Sequence, residues 1–129
     1  MQNYLIMLAH GSTDPVWQAP FQEMETRLRE RLGTHVRLAY MELCSPLIEE
    51  VVKEIAEEIA TTGSSAHRVD ILPLFFAAGR HLRQDVPEQL KALKTEFPEL
   101  ELELLPPVGQ HPAFTDVVAE IVTERDSQR

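Results

Sequence analysis

Tyr4-Leu5-Ile6-Met7-Leu8-Ala9-His10-Gly11-Ser12 decides the fold: six apolar residues in a row, then an abrupt polar turn. A run so short and so uniformly apolar reads as a strand buried on both faces, the habit of parallel sheets. The next stretch has the other period. Phe21, Met24, Leu28 and Leu32 recur at helical spacing, and Gly33 ends the stretch. The pair predicts a strand, a loop and a helix.

The same switch of period repeats along the chain. A second strand is expected from Val36 to Met41; Ser45 then caps a helix that opens at Pro46 and presents Leu47, Ile48, Val51, Val52, Ile55 and Ile59, with residues 61–65 ending it. A third strand, Val69 to Phe75, leads into a loop around Gly79. Asp85 and Glu88 predict a capping box for a third helix that stops before Pro98. Leu100, Leu102 and Leu104 alternate with Glu101 and Glu103 in a fourth strand, and His111-Pro112 opens a last helix bearing Phe114, Val117, Val118, Ile121 and Val122.

Strands one and three are apolar nearly throughout, whereas two and four alternate, which puts one and three at the centre of the sheet. The expected fold class is α/β, a doubly wound four-stranded parallel sheet of order 2-1-3-4 with helices on both faces. Ligands on such sheets bind beyond the carboxyl ends of the strands, at the switch point between strands one and three.

The 129 residues suit a single domain spanning 1–129, with a loose tail over 126–129. Hydrophobic residues at 43% and charged residues at 26% are globular values, and a formal charge of −9 argues against a nucleic-acid binder. The first apolar run is too short to span a bilayer and no basic segment precedes it; a lone cysteine excludes an internal disulfide. A cytoplasmic protein with no membrane partner is expected.

Residues just past the strands are His10, Gly11 and Ser12; Glu42; Phe75 to His81; and Pro106 to His111. His10, His81 and Glu42 therefore share one edge. Two imidazoles and a carboxylate suit borderline divalent ions and leave coordination positions open. Arg80 and Arg83 form a positive pair able to grip carboxylates, and Phe75 or Phe76 offers a flat apolar surface. Cys44 reads as a small buried apolar group, and His35 and His67 stand at the opposite edge. No P-loop or dinucleotide fingerprint comes after the first strand, so no nucleotide is expected.

At these positions the chain resembles a known family. Residues 8–17, Leu-Ala-His-Gly-Ser-Thr-Asp-Pro-Val-Trp, are similar to the opening motif of short-form CbiX-type class II chelatases, whose histidine binds metal. Residues 40–46, Tyr-Met-Glu-Leu-Cys-Ser-Pro, resemble the segment whose glutamate joins that site, and residues 72–87, which include Phe75, Phe76, Arg80, His81 and Arg83, resemble the segment with the second histidine. Residues 106–112, with His111, look like the family's last loop. The resemblance implies ATP-independent insertion of Co²⁺, or of Fe²⁺ or Ni²⁺, into sirohydrochlorin in cobalamin or siroheme biosynthesis. It further implies His10 and His81 as catalytic and metal-binding groups with Glu42, and a homodimer; substrate contacts are expected, from their chemistry and place at the same edge, from Arg80, Arg83, Phe75, Phe76, Ser12 and His111. A non-catalytic divalent-metal or tetrapyrrole carrier is the alternative.

Overall fold

A computed structural model describes residues 3–128, the side chain of His81 excepted. Strands β1 (Tyr4–Ala9), β2 (Val36–Tyr40), β3 (Arg68–Pro73) and β4 (Glu101–Leu104) form one parallel sheet of order β2-β1-β3-β4, as expected. Helix α1 (Pro15–Leu32) covers one face; α2 (Ile48–Thr62) and α3 (Val86–Glu96) cover the other; α4 (Pro112–Ser127) ends the chain. Among the described residues, no helix is long and apolar enough to cross a membrane.

The larger core lies under α2 and α3, where Ile6, Leu8, Val69 and Ile71 meet Ile48, Val52, Ile55, Val86 and Leu90. Each such side chain, wholly withdrawn from water, contributes roughly 1.5–3 kcal/mol. Leu82, Val86, Leu90 and Leu93 are all buried at i, i+4, i+8 and i+11, so the inward stripe of α3 begins before the helix proper. A π-helical turn, His81–Asp85, carries it. Asp85 is accordingly helical (φ −73°, ψ −42°) and makes no side-chain cap bond, in place of the expected capping box.

Four further features depart from expectation. Met24 and Leu32 are exposed, because the stripe of α1 that meets the sheet is Trp17, Phe21, Glu25 and Leu28. Glu25 belongs there since its carboxylate accepts the Leu38 N–H at 2.7 Å, occupying a donor on the outer side of edge strand β2. Helix α2 starts at Ile48 rather than Pro46: Ser45 and Pro46 form a bend, Leu47 is extended and bridges to β2, where Tyr40 donates its N–H to Pro46 O, and Glu50 receives the Leu47 N–H. Residues 126 and 127, expected to be loose, continue α4, with Ser127 Oγ donating to Thr123 O; Arg129 lies outside the described residues.

The fourth is α4 itself. It contains no buried residue, and Val117, Val118, Ile121 and Val122 are each about half exposed. The sheet face it would cover by a right-handed crossover stays open, so Asp70 and Leu72 of β3 are only half-buried and Glu101 and Glu103 of β4 are exposed.

On the opposite face, edge strand β2 is buried at every position, Arg37 included. Arg37 donates to Thr34 O at 2.6 Å, to Glu58 at 2.6 Å and to Glu54 at 3.3 Å, and lies over the Tyr4 ring. The guanidinium beside Glu58 holds that carboxyl below its usual range. A depressed carboxylate stabilises the fold above its unfolded value, about 4.3, and ceases to do so as pH falls through the lower folded value. Glu58 is partly exposed, so the effect is modest. Arg37→Ala is expected to lower stability by about 1–3 kcal/mol at pH 7, measured by urea denaturation, and the deficit should shrink below pH 4.

Candidate metal centre

Three strands end together beneath the site, and the parallel ladder runs on beyond them. Met41 N–H donates to Ala9 O at 3.0 Å and Glu42 N–H to His10 O at 3.2 Å, while on the other side of β1 Leu74 N–H donates to Leu8 O at 2.9 Å. These bonds set Glu42 beside His10. Gly11 has φ +110°, and a Cβ built on it would fall 1.8 Å from Glu42 O, so only glycine lets the two loops lie so close. Leu43, at φ +70°, then turns the chain away.

The result is a short contact: His10 Nε2–H donates to Glu42 Oε1 at 3.0 Å, with both side chains about half exposed. With metal–ligand bonds of ~2.1 Å, donor atoms that far apart subtend roughly 90° at an ion, the cis angle of an octahedral site. His10 stands edge-on to Phe75, ring centres 6.3 Å apart. Both line an open cleft of about 260 Å³ with Ala77, Gly79, Arg80 and Leu82.

Other expected residues are distributed differently. Phe75 faces His10 and is partly buried, whereas Phe76 points to solvent and meets Phe114 edge-to-face at 5.1 Å. Arg83 is exposed on the π-helical turn, one turn from the Arg80 that lines the cleft. The backbone of His81 opens that turn; its side chain lies outside the described residues. Among the described residues no three of His, Cys, Asp and Glu gather into a metal-holding group.

Ser12 and His111 are engaged in capping. Ser12 Oγ accepts the Asp14 N–H at 3.0 Å, completing the turn in which Asp14 caps α1, and its carbonyl accepts from Gln18. His111 Nδ1 accepts the Ala113 N–H at 3.1 Å at the start of α4 and lines a separate apolar cavity with Leu72, Pro106 and Val108. Leu82, absent from the expected site, lines the cleft, and the apolar spacing 82-86-90-93 is the signal in the sequence that marks it. Cys44 is half-buried beside the Tyr40 cluster; burial pushes the Tyr40 phenol up, and its oxygen has no partner among the described residues.

Gly11→Ala should cost about 1–3 kcal/mol from its dihedral alone and should also part Glu42 from His10. A lowered urea midpoint together with weakened Co²⁺ binding checks both effects.

The CbiX family matches residues 4–125. A sirohydrochlorin cobaltochelatase of Sulfolobus acidocaldarius is 29% identical over 119 residues, covering 90% of this chain and 86% of that protein. A structure from Marinobacter aquaeolei VT8, named for a cobalamin (vitamin B12) biosynthesis CbiX protein, superposes with a TM-score of 0.82 at 30% identity, covering 99% of this chain and 100% of that one. The sirohydrochlorin chelatase SirB of Bacillus subtilis subspecies spizizenii, in complex with cobalt, shares the fold at a TM-score of 0.78 and 18% identity, and the match spans 96% of this chain but 51% of SirB. With the family model matched over residues 4–125 and the whole fold superposing on a CbiX structure, the chain belongs to the CbiX family.

Proposed function

We propose that this protein inserts a divalent metal ion into sirohydrochlorin without a nucleotide, with Co²⁺ as the preferred ion and Fe²⁺ or Ni²⁺ as alternatives. The observation that carries the reading is the His10–Glu42 pair, half-open at the switch point of a CbiX-family sheet. The metal is a substrate here, and its site must take it from water and surrender it.

Insertion exchanges water and protein ligands for four ring nitrogens and releases two pyrrole protons. His10 and Glu42 hold the ion from one side of the cleft, with His81 assigned to the other by its place in the loop. As ring nitrogens displace them, the imidazole and carboxylate are freed to accept those protons. Phe75 lends an apolar edge to the macrocycle, and Arg80, with Arg83 a turn away, meets rim carboxylates. Ser12 and His111 serve the substrate indirectly, by setting the loops. A cytoplasmic setting accords with the single free thiol.

Spectrophotometric insertion of Co²⁺, Fe²⁺ or Ni²⁺ into sirohydrochlorin, beside a protein-free control, tests the reading. Wild type should accelerate it; His10→Ala and His81→Ala should each lose about 10²-fold or more, and Glu42→Gln somewhat less. Tight metal binding without acceleration would identify a carrier instead.

We also propose a homodimer built on the apolar face of α4. SirB is about twice as long as this chain, so two copies supply the same amount of fold, and the α4 stripe has no cover within one copy. Covering the exposed halves of Val117, Val118, Ile121 and Val122 contributes roughly 3–5 kcal/mol, which only begins to meet an association cost of 4–15 kcal/mol or more. The partner must therefore also cover Phe76 and the open sheet face around Leu72. Sedimentation equilibrium should show a dimer that Val118→Glu/Ile121→Glu converts to monomer.

A further inference from the structure

The loop between β3 and α3 bears Phe75, Arg80 and His81, yet it has no strand neighbour beyond Leu74 to hold it. Phe75 and Ala78 pack against the main core, and the loop's backbone is bonded to the loop after β4. Gly109, in the 3-10 turn Val108–Gln110, donates its N–H to Phe75 O at 2.9 Å. A Cβ built on Gly109 would lie 2.2 Å from Phe76 Cα, 2.4 Å from Phe76 O and 2.7 Å from Phe76 C.

All three atoms are backbone, so no side chain can swing aside. Gly109 is not among the residues of positive φ, so its dihedrals place no special demand on glycine. The requirement is for space alone. Gly79, within the cleft loop itself, has nothing within 4 Å of its position for a Cβ. The tolerance for added bulk is thus inverted: open at the glycine beside the site, closed at the glycine behind it.

We infer that Gly109 is a positioning residue that clamps the cleft loop, setting the distance of Phe75, Arg80 and the His81 backbone from the His10–Glu42 pair. The inference rests on the metal-insertion reading of that pair. Gly11 fixes Glu42 against His10 from the β2 side; Gly109 fixes the opposing loop from the β4 side. A methyl group at Gly109 pushes the loop bodily outward, enlarging the gap an ion must bridge while leaving His10, Glu42 and their hydrogen bond in place.

The test compares Gly109→Ala with Gly63→Ala. Gly63 ends α2 at φ +67° with open space around it, so alanine there strains the fold remotely. Gly109→Ala should weaken Co²⁺ binding, followed by titration of its visible absorption, and lower insertion kcat, each by roughly ten- to hundred-fold. Gly63→Ala should hold both within about two-fold of wild type whatever its fall in Tm. Equal behaviour of the two variants, scaled to Tm, would overturn the inference.

Hydrogen exchange on wild type decides the matter if Gly109→Ala does not fold. Co²⁺ should slow exchange of the Gly109 amide, which donates to Phe75 O, and leave the Gly63 amide, which donates to Ile59 O, unchanged. An unaltered Gly109 amide would refute the clamp. Should wild type bind Co²⁺ and fail to insert it, the enzymatic reading falls while affinity and exchange still judge the clamp; should it bind no Co²⁺, both fall.

Discussion

The carbonyls that end β1 are held from both sides, and the site depends on this. Leu8 O accepts from Leu74 of the β3 side, and Ala9 O and His10 O accept from Met41 and Glu42 of the β2 side. Leu8 and Ala9 are withdrawn from water, so the ladder ends in the core while the next side chain emerges from it. Each backbone bond contributes only about 0.5–1.5 kcal/mol net, but together they define where His10 starts and where Glu42 must be. A reactive pair is best held this way, on a rigid scaffold with its tips in solvent.

That scaffold was legible in the sequence because its signals are local. The apolar run 4–9 and the alternation of period gave the strand order, and position after a strand end gave His10, Glu42, Phe75 and Arg80. Burial within the strands obeyed the pattern less well. Strand β2 alternates in sequence yet is buried throughout, since Arg37 lies under α2 with its guanidinium paired to the outward-reaching Glu54 and Glu58; β3 reads as apolar nearly throughout, yet its Asp70 and Leu72 lie half-open where α4 does not pack. Periodicity tells which residues share a face, not whether something covers it.

What stayed hidden was nonlocal. Glu25 carries no apolar signal that would put it on the inner stripe of α1; the Leu38 N–H of β2 is what draws it there. Ser12 and His111, chosen because they stand at the right edge, spend their acceptors on the first turns of helices. The two close approaches of Gly11 to Glu42 and Gly109 to Phe76 join loops far apart in sequence, and a glycine carries no mark of which loop it will meet.

The His10–Glu42 bond bears on the choice between a site that keeps a metal and one that passes it on. The bond preorganises the two donors at a separation an ion can use, but the ion must break it to bind. With both side chains about half in water the pair contributes about 1 kcal/mol or less, so displacing it weakens the site by up to roughly five-fold. A carrier gains nothing from ligands that compete with its cargo. A transfer site gains twice, because the same bond re-forms as the ion departs and lowers the free energy of the emptied site at the step where ring nitrogens take over. Half-exposed side chains on a fixed backbone allow that exchange without moving the sheet.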